Sequence, residues 1–333
     1  MLDLYGTIGP ACSDAETLTA MFEAGMTGLR LNLSHVTLPH AASQIFAMHE
    51  AARRCGKRAQ LLIDMQGPEL RIGALPEPLT LEAGQEPIVG AGGLPVPAAV
   101  LQHLVPGQQM LLDDGKLLLE ILENRGDSAR ARVLRGGVLQ SRKSIALPGS
   151  RLHPPTMTEL DKQNISYAKQ YGVTAVMQPF VRDRADLDAV RQALRDAGCG
   201  DIRLFAKIEN LEGVANLEEL IPACDEIVIA RGDLGNAMPL WELPRVQKEI
   251  AAKCRAQGRA FMVVTQMLAS MEHSAVPTRA EVSDIFNAVC DGAASVMVTG
   301  ETAVGDYPVE AIRYLANTAA EAEAYLESVS GKN

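Results

Sequence analysis

The sequence predicts an α/β chain in which eight parallel strands close into a (β/α)8 TIM barrel, with a small β-rich domain inserted after the third strand. Three observations predict it. Short apolar runs alternate with amphipathic helical stretches over most of the 333 residues, the rhythm of strand–helix–strand crossovers. That rhythm breaks once, between about Ile72 and Leu152, where Pro, Gly and period-two alternation take over. Three strand candidates precede the break and five follow it, the number that closes a barrel when each strand is followed by a helix. An open doubly wound sheet would need a glycine-rich phosphate turn after an early strand, and neither Gly-x-Gly-x-x-Gly nor a Walker motif occurs.

Taken in order, the first apolar run covers residues 4–8. The pattern Ser13-x-x-Glu16 reads as a capping box opening a helix that stops at Gly25. The second run is 27–33, with a helix from about Pro39 to Gly56, and the third is 59–65. In the interruption, runs at 110–112, 117–122 and 129–134 are separated by turn signals at Asp114-Gly115 and Gly136-Gly137. Pro148-Gly149 and Pro154-Pro155 close it. The expected division is therefore a barrel domain of residues 1–72 and 153–333 and an inserted domain of residues 73–152. Beyond it a helix is expected over 158–171, stopped by Gly172, then a strand at 174–177. Asp183 caps a helix ending near Gly198, and strands follow at 202–208, Glu226–Ala230, Ala260–Val264 and 295–298. Pro244 and Pro308 suit first helical positions, and Thr278-x-x-Glu281 is another capping box. The helix ending near Ser328 is the eighth.

Composition narrows the function. A net charge of −10 argues against nucleic-acid binding while leaving room for a local basic pocket. No apolar run reaches membrane-spanning length, and the start Met1-Leu2-Asp3-Leu4 lacks a basic region and a cleavage site. The six cysteines form no Cys-x-x-Cys pair, as expected of reduced thiols in a cytoplasmic protein. The dispersed histidines argue against zinc.

In such a barrel, chemistry sits at the carboxyl ends of the strands. Lys207 and Glu209 end the fifth strand two residues apart, so they share a face; Asp233 ends the sixth and Thr265 the seventh. Glu209 and Asp233, on neighbouring strands roughly 5 Å apart, suit one Mg2+ whose other positions are filled by water or substrate oxygens. Lys207 would then stabilise negative charge developing on a substrate oxygen, and Thr265 could relay a proton. Taken singly, each carboxylate reads equally well as half of a structural ion pair. A second cluster ends strands two and three. Alternation puts Arg30, Asn32 and Ser34 on one face, where oxygens of Asn32, Ser34 and Asp64 could hold a monovalent cation. Arg30 and Arg71 would face a phosphoryl group, for which the guanidinium fork is well shaped. A surface ion-pair face is the alternative. Arg142-Lys143 could meet nucleotide phosphates if the inserted domain closes, although a solvated pair is the default. His35 reads as a local hydrogen-bonding residue, Gly90-Ala91-Gly92-Gly93 as a loop, and Trp241 as packing.

Together these motifs resemble the pyruvate kinase family. The matching stretches are Thr7-Ile8-Gly9-Pro10-Ala11, Gly25-Met26 through His35, Asp64 with Gly67 to Arg71, Asp113-Asp114-Gly115 and Lys207 to Asn210. They continue with Ala230 to Gly235, Thr265 to Met271, Pro277 to Glu281, Gly300-Glu301-Thr302-Ala303, Gly305 and Tyr307-Pro308. The resemblance implies phosphoryl transfer from phosphoenolpyruvate, or a similar enol or 2-oxo acid, to ADP. It implies Mg2+ on Glu209 and Asp233, and K+ on Asn32, Ser34, Asp64 and the backbone carbonyl of Met65. It also implies Arg30 at the phosphoryl group, Arg71 and His35 on the nucleotide side, Lys207 at the enolate and Thr265 near the carbon that is protonated. Lys143 matches a lid lysine that reaches ATP, and Glu69 the form associated with K+ dependence. The chain stops where the family's C-terminal domain would begin, so the expectation is an enzyme without that domain's sugar-phosphate effector site; a homo-oligomer is compatible with the resemblance. Departures from the family pattern lie at Met65-Gln66, Pro179, Asn236-Ala237, Thr299 and Ala146. A metal-dependent enolate enzyme on another substrate remains open beside the kinase, because Lys207, Glu209, Asp233 and Thr265 serve both. Arg71, Lys143 and His35 favour the kinase. A non-catalytic relative fits least, given the retained lysine and carboxylates.

Overall fold

The computed structural model describes residues 2–34, 36–113, 115–150, 152 and 154–330. Its strands are β1 (Asp3–Thr7), β2 (Gly28–Asn32), β3 (Gln60–Asp64), β4 (Leu79–Leu81), β5 (Ile88–Gly90), β6 (Gln109–Leu112), β7 (Leu117–Asn124), β8 (Ser128–Arg135), β9 (Gly137–Leu139) and β10 (Ile145–Ala146). They continue with β11 (Ala175–Gln178), β12 (Arg203–Ile208), β13 (Glu226–Ala230), β14 (Ala260–Val264) and β15 (Ser295–Met297). β1, β2, β3 and β11 to β15 form the expected closed barrel, all parallel, in the order β1-β15-β14-β13-β12-β11-β3-β2. Backbone contacts divide the chain into two compact units. One comprises 1–67, 156–234 and 241–333; the other comprises Pro68–Pro155 and Gly235–Leu240.

The barrel interior is packed by Tyr5, Leu62, Met177, Phe205, Val228, Met262, Val264 and Met297. These strands read as continuous apolar runs because the barrel fills one face and helices cover the other. Helix ends follow local chemistry. Asp14, rather than Ser13, caps helix Ala15–Glu23, its carboxylate accepting from Thr17 N at 2.8 Å. The expected Ser13–Glu16 box does not form: Ser13 is helical in backbone while Asp14 is extended, at φ −92° and ψ 154°, so the cap moves to Asp14, an ionised acceptor that is strong at a helix N-terminus. Gly25, at φ +122°, turns the chain out of that helix through a conformation that side chains avoid. The box at Thr278–Glu281 forms as expected, with Thr278 N donating to Glu281 Oε2 at 2.7 Å. Asp183 caps Arg184–Asp196, and Pro308 opens Pro308–Ser330. The second helix is shorter than expected, Ala42–Arg54, and the fourth covers only Glu159–Tyr167.

At the amino end of the barrel the first residues of several strands are polar. Tyr5 Oη donates to Gln60 Oε1 at 2.5 Å, Arg203 donates to both, and Ser295 Oγ donates to the buried Glu226 carboxylate. The Arg203 guanidinium also lies 5.1 Å from the centroid of the Phe205 ring.

The second unit holds a five-stranded antiparallel sheet, β10-β6-β7-β8-β5, and a two-stranded pair, β4-β9. Along β8, Ala129, Ala131 and Val133 are buried while Arg130 and Arg132 are exposed, the period-two pattern that marks one packed face. Gly136 is not a hairpin tip. It lies between β8 and β9, where a Cβ would come within 2.3 Å of the Leu81 carbonyl oxygen; the close approach requires glycine. Trp241, expected to pack, is 82% exposed in the short turn Leu240–Glu242 of the barrel unit's boundary.

Candidate active site

Parallel register places the charged residues. Asn32 pairs with Asp64 across β2–β3, and Asp64 with Met177 across β3–β11, so the carboxyl ends of these strands lie level. Arg30 Nε and Nη2 donate to Asp64 Oδ2 at 2.9 and 2.7 Å. Lys207 Nζ lies 3.3 Å from the same oxygen and 2.8 Å from Glu209 Oε1. Glu209 Oε2 accepts from the backbone N–H of Phe180 at 2.8 Å. Arg30, Asp64, Lys207 and Glu209 thus form one unbroken line of charge, with the Asp64 side chain 3% and the Glu209 side chain 0% exposed.

The electrostatics show a local excess of negative charge. Burial disfavours the Asp64 carboxylate, but Lys207 and Arg30 outweigh it and hold its pKa below the ordinary value. Burial likewise opposes the Lys207 ammonium, yet Asp64 and Glu209, with a smaller contribution from Asp233, raise its pKa so that it stays charged. Glu209 goes the other way. Burial raises its pKa; Lys207 opposes that rise, and the neighbouring charges of Asp233 and Asp64 reinforce it. A buried carboxylate pushed up first by desolvation and then by like charges beside it is a natural divalent-cation ligand, because the ion supplies the missing counter-charge. Glu209 and Asp233 therefore fit Mg2+. Asp64 Oδ1 is buried with no hydrogen-bond partner, an orphaned acceptor that fits a monovalent cation. Asn32 Oδ1 already accepts from Ser34 N at 3.0 Å, which fixes the carboxamide in a turn beside it.

Asp233 does not end a strand as expected; it lies in the short helix Arg231–Asn236 that follows β13. The Arg231-Gly232-Asp233 segment winds directly off the strand, so helical rather than extended geometry sets the direction of Asp233. Thr265 follows β14 at φ +72°, and Gln266 at φ +53°. Thr265 Oγ1 accepts from Gly232 N at 2.9 Å, and its carbonyl accepts from Arg231 Nε and Nη2 at 3.2 and 2.6 Å. Arg231 is held in turn by Asp284 at 2.6 Å. Met65 is buried, its N–H on Met177 O at 3.1 Å. His35 lies outside the described residues. Arg71 and Lys143 belong to the second unit. There Arg71 pairs with Glu69 Oε2 at 2.6 Å and donates to the Arg142 carbonyl at 3.0 Å, and Lys143 pairs with Asp113 at 2.9 Å.

Four contributors escaped the sequence reading. The Phe180 N–H is one: Pro179 has no N–H, and the next residue, at φ +52°, turns its own amide onto Glu209. Arg231 is another, although a basic residue ending the apolar run Glu226–Ala230 was a visible signal. Asp161, the N3 partner of Thr158 in a capping box, reaches Gln66 N at 2.8 Å and Gly67 N at 3.0 Å; the spacing Thr158-x-x-Asp161 could have revealed the box. Buried Glu301 accepts from Leu268 N at 3.0 Å and Thr299 N at 2.6 Å, tying together the loops that follow β14 and β15.

The family description "Pyruvate kinase, barrel domain" matches residues 2–312. The chain belongs to the pyruvate kinase family. It is 38% identical over 328 residues to a pyruvate kinase of Bacillus licheniformis, covering 95% of this chain and 56% of that protein. It is 37% identical over 332 residues to the pyruvate kinase of Geobacillus stearothermophilus, covering 96% and 57%. With the pyruvate kinase of Aeropyrum pernix the identity is 36% over 322 residues, covering 96% and 70%. The chain thus spans little more than half the length of the first two relatives. No described helix is long and apolar enough to cross a membrane.

Proposed function

We propose that the chain transfers the phosphoryl group of phosphoenolpyruvate to ADP, giving pyruvate and ATP. The observation that carries this reading is the buried line Arg30–Asp64–Lys207–Glu209 at the carboxyl ends of β2, β3 and β12. Lys207 stays protonated between two carboxylates, which suits an ammonium that faces the enolate oxygen as the phosphorus–oxygen bond breaks. Arg30, braced by Asp64, presents its guanidinium to the phosphoryl oxygens. The Thr265 hydroxyl accepts from Gly232 N–H and donates to the Val264 carbonyl; the strained turn holding it is the kind of geometry that functional sites retain, and its role would be to relay a proton toward the enolate carbon. Mg2+ on Glu209 and Asp233, and K+ on Asn32, Ser34, Asp64 and the Met65 carbonyl, supply positive charge to the substrate's carboxylate and phosphoryl oxygens when bound. Arg71, Lys143 and His35 are assigned to the nucleotide. All six cysteines are free, which supports a reducing compartment, the cytoplasm.

The test is pyruvate release from phosphoenolpyruvate with ADP and Mg2+, with and without K+, beside Glu209→Gln. ADP-dependent release that falls at least about a hundredfold in the variant is expected, and omission of K+ should lower the rate. Release that is independent of ADP, or that survives in Glu209→Gln, would remove the assignment.

A further inference from the structure

Just past the end of β3, the backbone is held by a carboxylate 95 residues further along the chain. Asp161, fully buried on the helix Glu159–Tyr167, closes that helix's capping box with one oxygen alone: Thr158 N and Thr158 Oγ1 both donate to Oδ2, at 2.9 and 2.8 Å. Gly67 N joins them on Oδ2 at 3.0 Å. The other oxygen, Oδ1, accepts from Gln66 N at 2.8 Å. A cap needs no second oxygen, so the contact with Gln66 has a separate reason.

Gln66 N–H and the Met65 carbonyl belong to one peptide plane. Among the described residues no peptide bond is cis, so the carbonyl points opposite to the N–H, away from Asp161. It is buried, Met65 being 1% exposed, and among the described residues no donor reaches it. The neighbouring strand explains why. Met65 N donates to Met177 O at 3.1 Å, and the next bond of a parallel ladder would return from the N–H of residue 179 to Met65 O. Residue 179 is proline, which has no N–H to give. Its ring packs against the same segment, where a Cβ on Gly67 would come within 2.4 Å of Pro179 Cγ. A buried carbonyl without a donor is costly. On the preceding residue, Asp64 Oδ1 is likewise buried without a partner. Carbonyl and carboxylate oxygens left bare side by side are what a hard cation takes as ligands.

We propose that Asp161 and Pro179 are positioning residues of the monovalent-cation site. Asp161 fixes the Met65–Gln66 peptide so that its carbonyl faces the ion, and Pro179 withholds the sheet donor that would otherwise occupy that carbonyl. Both act through Met65. The inference rests on the assignment of K+ to Asn32, Ser34, Asp64 and the Met65 carbonyl, and adds the residues that prepare the site.

The test titrates thallous ion, a K+ stand-in with an NMR signal of its own, against the full chain, and measures the K+ needed for half activation alongside. In Asp161→Asn, Gly67 N, Thr158 N and Thr158 Oγ1 still claim one oxygen, so the cap survives and the amide nitrogen is turned onto Gln66 N–H. Thallous affinity should fall about tenfold or more, and half-activating K+ should rise to match. The value of kcat at saturating K+ and the Mg2+ requirement should stay within about twofold. Thr158→Val is the control: it weakens the cap and lowers the melting temperature but leaves thallous affinity unchanged. Pro179→Ala supplies an N–H opposite the Met65 carbonyl and leaves the cap alone. Its thallous affinity should fall severalfold, and it carries the test if Asp161→Asn does not fold. Thallous affinity unchanged in Asp161→Asn or in Pro179→Ala, or equally weakened in Thr158→Val, would overturn the proposal. No binding by the unaltered chain would remove the K+ assignment and the inference together. If the chain binds thallous ion but does not phosphorylate ADP, only the activity reading falls, and the titration still decides the two residues.

Discussion

Lys207 touches two buried carboxylates, and its removal separates folding from chemistry. In Lys207→Met, Asp64 keeps Arg30 but Glu209 keeps only the Phe180 N–H. Breaking a buried pair in this way costs about 3–5 kcal/mol, which a denaturant midpoint should register. Pyruvate formation should fall by about a thousandfold or more, because the lost charge is needed at the developing enolate. Mg2+ should still bind, since Glu209 and Asp233 remain and a competing cation has gone. Near-normal turnover in this variant would end the role given to Lys207. The pairing of Lys207 with Glu209 was visible in the sequence because the two stand two apart at the end of an apolar run. The amide of Phe180 was not visible, because it depends on a backbone angle; Arg231 was marked by its place after an apolar run, but its anchor, Asp284, lies 53 residues away.

At the scale of elements, the barrel strands were legible because each is a short apolar run between helix signals, and alternation in β7 and β8 announced the inserted sheet. Boundaries were less so. Ser13 and Asp14 are both competent caps by residue type, and the extended backbone of Asp14 beside the helical backbone of Ser13, with the stronger ionised acceptor, selects Asp14. The short helix carrying Asp233 was missed because six residues, Arg231–Asn236, give no periodicity to read. The polar strand starts at the amino end of the barrel carry a prediction of their own. Burial raises the Glu226 pKa from 4.5 to about 7, against the Ser295 hydrogen bond and the Arg203 charge, with Asp3 and Asp225 adding to the rise. The folded state therefore holds a proton that the unfolded chain has lost between about pH 4.5 and 7. The stability that this proton contributes is present below pH 4.5 relative to the ionised form, and is lost as pH rises through 7. The full difference is about 3 kcal/mol. Urea midpoints measured from pH 5 to 8.5 should fall, and Glu226→Gln should flatten that fall. A variant curve parallel to the wild type would show that other groups set the slope.

At the scale of the whole molecule, two separate hydrophobic cores among the described residues bear on how it melts. The second unit buries Val89, Val100, Met110, Leu119, Ile121 and Val133 in a core of its own, while the barrel closes around Phe205 and its neighbours. Chains with separate cores depart from all-or-none unfolding. Scanning calorimetry should give a calorimetric enthalpy exceeding the van't Hoff value, and equality of the two would show a single cooperative unit. The position of Trp241 has a spectroscopic consequence. It is the only tryptophan in the chain, and its indole stands almost fully in water where the segment Gly235–Leu240 of the second unit returns to the barrel unit. Native emission should already sit at the red end expected of solvated indole, so unfolding will scarcely change its colour. A blue shift on adding a ligand would instead signal that water has left the Trp241 indole, an optical reporter that needs no label.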